Sequence, residues 1–272
     1  YCQNQCYDLL LTHTGEQTRT LGKQIQDMFR LPFIALEHCL KSSLGVTYNE
    51  KYWAEYGKAS PADYHVFITK NQLNDWYGNY FKNSRIILHG IDSNIFSGWN
   101  PKEKSILNVS NDFRGRGYVM GFDIFEQVCN GLPVRCVGDT LNSDGSRFSE
   151  PAGSIEDLIN YYRGSLVYFN CTRLSSISTS FLEAMCTGIP CVTIDTFSIK
   201  DYFEHENHCL IFDEKDITGL RAGLVDCLEH PDKYREMGQR ARLRIIQLFS
   251  VEQHVQNWDN LFREAIEAKL SQ

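Results

Sequence analysis

STSFLEAMCTGIPCV, residues 178–192, is the stretch on which the fold turns. Hydroxyl residues open it, Glu183 sits one helical turn in, and Gly188-Ile189-Pro190 closes it ahead of Cys191-Val192. Small hydroxyl residues favour helix starts, and Gly with a following Pro stops a helix. The stretch therefore reads as a helix that feeds straight into a strand. Just before it, SLVYFN (165–170) reads as another strand, with Cys171–Ile177 as the connecting loop. Strand, loop, helix, strand is the unit of a parallel sheet with covering helices. In such a unit the helix starts at the carboxyl edge of the sheet, where its unpaired amides can hold an anion. Ordinary capping by Ser178, Thr179 or Ser180 accounts for the same residues.

The pattern extends in both directions. Upstream, strands are expected at 7–12, 31–36, 63–69 and 84–90, with helices at 16–29 and 70–79; residues 46–60 are ambiguous. GWNPKEK (98–104) is polar and carries Gly and Pro, which marks a boundary. Beyond it, strands are expected at 105–110, 134–139, 165–170, 190–195 and 208–213. Helices are expected near 118–131, 154–163, 216–229, 231–247 and 251–270. The expected fold is α/β with two facing Rossmann-like domains, the first short or truncated. The domains are 1–97 and 98–250, and helix 251–272 either crosses back to the first domain or mediates a dimer contact.

Composition narrows the classes. The 272 residues are 42% hydrophobic and 22% charged, which is globular. A net charge of -7 and the lack of a basic stripe disfavour nucleic acid as partner. No apolar run is long enough to cross a bilayer. The N-terminal YCQNQCYDLLL lacks the basic flank of a signal peptide, and the missing initiator Met reads as a chain that begins inside a longer product. Ten cysteines without a CxxC pair read as reduced, small hydrophobes in a cytoplasmic protein; a Cys2–Cys6 bridge is the weaker alternative. His13, His38 and His89 lack metal-ligand spacing, so no metal is expected.

Several segments carry candidate chemistry. In the opening stretch and the loop before it, Ser176, Ser178 and Thr179 flank the helix start, and Glu183 is either a solvated helix residue or a grip for a ribose diol. In NDFRGRGYVMGF (111–122), Arg114 and Arg116 stand between glycines after a strand; their guanidinium forks suit phosphate oxygens, or the loop is a solvated turn. The GxGxxG dinucleotide spacing is absent, which disfavours an NAD enzyme. His38 follows an apolar strand and is either structural or a proton relay to a sugar hydroxyl. Asp92 reads as a turn residue, and Asp195, Lys200 and Asp201 lie near a strand end, for capping or for sugar hydroxyls.

These segments together resemble the retaining glycosyltransferases of the two-Rossmann-domain (GT-B) type, the large family of sucrose synthases, bacterial mannosyltransferases and lipopolysaccharide transferases. FLEAMCTGIPCVTID (181–195) is similar to the family's EAMA-type helix and GxPVV strand. NHCLIFD (207–213), HPDKYREMGQRAR (230–242), LHGIDSNIF (88–96) and RGRGYVMGFDIF (114–125) are similar to further family segments. The resemblance implies a UDP- or GDP-sugar donor on the second domain and a glycan, lipid or protein acceptor bound mainly by the first. It implies that Arg114, Arg116 and the helix start hold the diphosphate, Glu183 the ribose, and Asp201 part of the sugar. His38, Arg116 and Glu183 are then the catalytic set, with no cofactor or metal required. Two positions depart from the family: Met120 stands where a lysine is usual, and Ser175 stands where the first of two glutamates is usual. These departures define the alternative, a degenerate nucleotide-sugar-binding protein or a non-catalytic subunit that needs a partner; a homo-oligomer is compatible with either.

Overall fold

The computed structural model describes residues 7–13, 16–44, 49–142 and 145–271. Cys2 and Cys6 lie outside the described residues. The chain divides into two compact units: one runs up to Gly90 and includes the segment from Glu252 onward, and the other is Ile91–Val251.

The first unit is a four-stranded parallel sheet in the order β1 (Leu10–His13), β2 (Phe33–Glu37), β3 (Tyr64–Phe67), β4 (Ser84–Ile86). β2 and β3 are buried along their whole length, as expected of parallel strands covered on both faces. Its helices are α1 (Glu16–Phe29), α2 (Glu50–Lys58) and α3 (Lys70–Asp75). The ambiguous segment 46–60 resolves as α2. Asn49 caps it by accepting the Tyr52 amide, and Trp53 and Gly57 turn inward at helical spacing. Strands are shorter than expected because their partners end: β1 pairs only from Phe33 onward, and β4 stops where β3 stops, at Phe67. Arg19 of α1 pairs with Glu37, which ends β2 fully buried, and lies 4.5 Å over the Tyr56 ring. Trp53, Phe67, Trp76 and Phe81 form a core cluster of this unit.

The second unit is a five-stranded parallel sheet. Its order is β6 (Val134–Val137), β5 (Ile106–Val109), β7 (Val167–Asn170), β8 (Cys191–Ile194), β9 (Leu210–Phe212). Its helices are α4 (Gly117–Met120), α5 (Phe122–Cys129), α6 (Ile155–Gly164), α7 (Thr179–Thr187), α8 (Ile199–Tyr202), α9 (Ile217–Glu229) and α10 (Arg235–Leu248). The final helix α11 (Val251–Leu270) returns to the first unit, where His254 Nδ1–H donates to the Leu88 carbonyl at 2.6 Å and Glu264 pairs with Arg85 at 2.7 Å.

The single helix expected near 118–131 is two. Gly121 breaks it at φ +70°, and a Cβ there would lie 1.9 Å from the Cys171 carbonyl oxygen. A side chain at this position is excluded by both conformation and contact. α8 is a short helix after β8, where the sequence pattern places none. The seven described cysteines of this unit are free and buried.

α10 packs on α7 through an intimate backbone approach. A Cβ on Gly238 would meet the Gly188 carbonyl oxygen at 2.2 Å. Arg242 donates to the carbonyls of Cys186 at the end of α7, Phe96 (2.6 Å) and Ser93 (2.8 Å). The bond to Cys186 satisfies a carbonyl that the end of α7 leaves open, and the other two tie in the loop before β5. They give HPDKYREMGQRAR its physical meaning: it anchors the helix of the opening stretch.

Candidate functional site

In the second sheet the chain leaves β5 toward β6 on one side, while β7 lies on the other. At such a reversal open α/β sheets bind ligands in the crevice beyond the carboxyl ends of the two strands, here β5 and β7. Two segments line it: Ser110–Met120 after β5, and Cys171–Ser178 after β7. They are stitched together, since the amides of Arg173 and Leu174 both donate to the Val119 carbonyl, at 3.0 and 3.1 Å.

The two arginines of the first segment differ in surroundings. The Arg114 guanidinium lies over the rings of Phe122 (4.9 Å) and Phe148 (5.4 Å), with Glu126 at 3.8 Å. Arg116, at the N-cap of α4, is exposed and has no ion-pair partner among the described residues. Met120 is buried in the apolar core of this unit, so the position at which the resembling family carries lysine points away from solvent.

The start of α7 decides between the two readings of the opening stretch in part. Ser178 holds the N-cap position, but its side chain makes no capping bond. It bonds Ser180 Oγ at 3.0 Å, which also accepts the Tyr168 hydroxyl at 2.9 Å. The amides of the first turn, which have no acceptor inside the helix, are thus not taken by the Ser178 hydroxyl. Ser176 is buried and Thr179 exposed. Glu183, half-buried one turn in, accepts the Tyr162 hydroxyl at 2.8 Å on Oε2. Burial raises its carboxyl above the ordinary range, opposed by that hydrogen bond.

Arg173, which the sequence reading missed, is the most connected side chain of the crevice. It is nine-tenths buried; Nη1 and Nη2 grip the two oxygens of Asp123, the second at 2.7 Å, and Nε donates to Glu214 at 2.7 Å. Nη1 also reaches the Tyr118 carbonyl at 3.2 Å, and the guanidinium lies 4.5 Å from the Tyr118 ring centroid. The hydrogen bond from Arg173 pulls the Asp123 carboxyl below its usual value. One signal pointed to Arg173: it is a charged residue in the loop that the strand pattern already placed at the ligand edge.

Asp201 lies on α8, exposed, after the neighbouring strand β8. Lys200 pairs with Asp195 at 2.6 Å. Asp92 plays the turn role, accepting the Asn94 amide at 2.8 Å. His38 belongs to the first unit, just beyond β2. There it shares a hydrogen bond with His13 at 2.6 Å, and burial and that neighbour lower its pKa. Among the described residues no group of three or more His, Cys, Asp or Glu side chains is arranged to hold a metal. No helix among them is long and apolar enough to cross a membrane.

Comparison with known proteins bears on the family and the fold. The glycosyl transferase-like family matches residues 123–260, just over half of the chain. An uncharacterized glycosyltransferase of Haemophilus influenzae is 21% identical over 174 residues, covering 59% of this chain and 49% of that protein. The chain therefore spans about half the length of that relative. Sucrose-phosphate synthase from Thermosynechococcus elongatus superposes with a TM-score of 0.77 at 16% identity, over 96% of this chain and 74% of that one. Anabaena HepE, in complex with UDP and glucose, superposes with a TM-score of 0.74 at 14% identity, over 94% and 77%. At these identities the likeness to the solved structures is one of fold: two Rossmann-like lobes of the GT-B architecture.

Proposed function

This chain belongs to the glycosyl transferase-like family, and from that premise we propose that it binds a nucleoside-diphosphate sugar, UDP- or GDP-linked, in the crevice of its second unit. It transfers the sugar to an acceptor hydroxyl with retention of anomeric configuration. The observation that carries the reading is that an exposed guanidinium, Arg116, follows β5 and the α7 start that Ser178 leaves uncapped follows the adjacent β7, at the point where the strand order reverses. The UDP complex of HepE supports it by fold.

Arg116 and the first-turn amides of α7 hold the diphosphate, whose charge they complement before and during departure. Arg114 adds charge from its place over Phe122, and Ser176, Ser178 and Thr179 shape the approach. Glu183 accepts from the ribose hydroxyls while Tyr162 fixes its orientation. Arg173 positions both loops. Asp201 contacts the donor sugar. In the transfer the bond from anomeric carbon to phosphate oxygen breaks and its electron pair goes to the leaving diphosphate. The acceptor oxygen bonds the same carbon on the same face, and its proton passes to the departing phosphate oxygen.

The second reading, binding without transfer, is favoured by Met120 being packed in the core and Ser175 lacking a carboxylate. A panel of UDP- and GDP-sugars with candidate acceptors separates the two. Binding with release of free nucleoside diphosphate supports transfer; binding without release, for every acceptor, supports the second reading; no binding removes both. Arg116→Ala is expected to weaken binding roughly tenfold or more, since a charge-assisted phosphate contact is lost. Unchanged affinity would take Arg116 out of the site.

A further inference from the structure

Tyr118 is 66% exposed, more than any other aromatic side chain among the described residues. An aromatic ring normally buries most of its surface, so an outward ring at a ligand edge calls for a reason. Its neighbours rule out random placement. Val119 is half-buried against the core and Met120 is buried within it, so α4 is turned with Tyr118 outward. The ring is also held. Its carbonyl accepts from Arg173 Nη1 and from the Gly121 amide at 3.2 Å each, and the Arg173 guanidinium backs the ring at 4.5 Å. Arg173 is itself fixed by Asp123 and Glu214. The result is a flat, exposed aromatic surface on an anchored backbone, with a cation on one side, two residues beyond Arg116. The Tyr118 hydroxyl has no hydrogen-bond partner among the described residues, so the ring rather than the hydroxyl is what the structure presents.

We propose that Tyr118 is the platform on which the nucleobase of the donor stacks. This rests on the reading of the second unit as a nucleoside-diphosphate-sugar site, and it adds the residue that recognises the base. A nucleobase is the planar, π-bearing part of that ligand, and stacking on a pre-ordered ring costs little side-chain entropy. Stacking is tolerant of base identity, so Tyr118 supplies affinity for the nucleoside, and discrimination between uracil and guanine falls to edge contacts elsewhere.

The test is titration calorimetry of the full chain with UDP, GDP, UDP-glucose and inorganic pyrophosphate, for the wild type, Tyr118→Ala and Tyr118→Phe. Base–aromatic stacking corresponds to about a 5- to 150-fold loss on truncation to alanine. Tyr118→Ala is expected to lose affinity for the bound nucleoside diphosphate within that range, while pyrophosphate binding stays within about twofold and Tyr118→Phe behaves as wild type. The ring is exposed and its one ring contact is with Arg173, so the alanine variant should stay within about 4 °C of the wild-type thermal midpoint. Wild-type binding of UDP or GDP that Tyr118→Ala leaves unchanged overturns the proposal while the site reading stands. A loss confined to UDP-glucose, with UDP unaffected, assigns the ring to the sugar and equally overturns it. A wild type that binds none of the nucleotides removes the site reading and the proposal together.

Discussion

Replacing Arg173 with methionine removes the connector of the crevice while keeping an unbranched apolar stem. Three anchors are lost: the two-pronged grip on Asp123, the bond to Glu214 and the bond to the Tyr118 carbonyl. Removing one partner from a fully buried ion pair costs about 3–5 kcal/mol, because the other charge is stranded. Here the stranded groups are not buried: the Asp123 and Glu214 side chains are 54% and 37% exposed. Water re-solvates both, so the expected loss is lower, about 2–3 kcal/mol, set by the hydrogen bonds to charged groups. For a unit of this size that is about 4–12 °C in melting temperature. Urea unfolding of the full chain reads it, and Asp123→Asn alone and combined with Arg173→Met closes a double-mutant cycle. The pH dependence gives an independent check. The Asp123 carboxyl is depressed in the folded state, so its contribution is present above the unfolded value of 3.8 and lost as pH falls through the lower folded value. Arg173→Met should flatten that acid limb. A destabilisation under about 0.5 kcal/mol, with the acid limb unchanged, would show that solvent screening cancels the network.

Three further outcomes are expected. Gly238→Ala forces a Cβ into the Gly188 carbonyl oxygen at 2.2 Å and should cost about 3 kcal/mol or more by urea unfolding; Gly164→Ala, with nothing within 4 Å, should stay near neutral. Because burial raises the Glu183 carboxyl, donor affinity should strengthen as pH rises through that raised value and Glu183 ionises. Glu183→Gln should abolish that dependence, read as UDP-glucose affinity on the acid side of neutrality, where the doubly esterified diphosphate does not itself titrate. Buried His65 has its pKa lowered to about 4, so the unfolded chain takes up the proton first as pH falls below 6.5. First-unit stability should then fall by up to about 3 kcal/mol between those values, and His65→Gln should reduce the slope in acid unfolding.

What was legible in the sequence depended on how local its cause is. The strands of both sheets were readable because parallel strands buried on both faces are continuous apolar runs, as VYFN and CVTI show. The stop at Gly188 was readable because a left-handed φ of +91° selects glycine by itself. The break at Gly121 was not, since its cause is the Cys171 carbonyl of another loop. The partners of Arg173 were invisible for the same reason: Asp123 and Glu214 lie 50 and 41 residues away, and no spacing rule links them. The opening stretch falls between these cases. Its helix and its hydroxyls were local facts, but the hydroxyls' partners were not. Tyr168, which takes up Ser180 Oγ and with it Ser178, comes from the preceding strand. That one tertiary contact engages the Ser178 hydroxyl away from the first-turn amides of α7, the amides to which the proposed diphosphate site turns. Whether a hydroxyl-rich helix start caps itself depends on what occupies its hydroxyls, and here that is settled only by the assembled sheet.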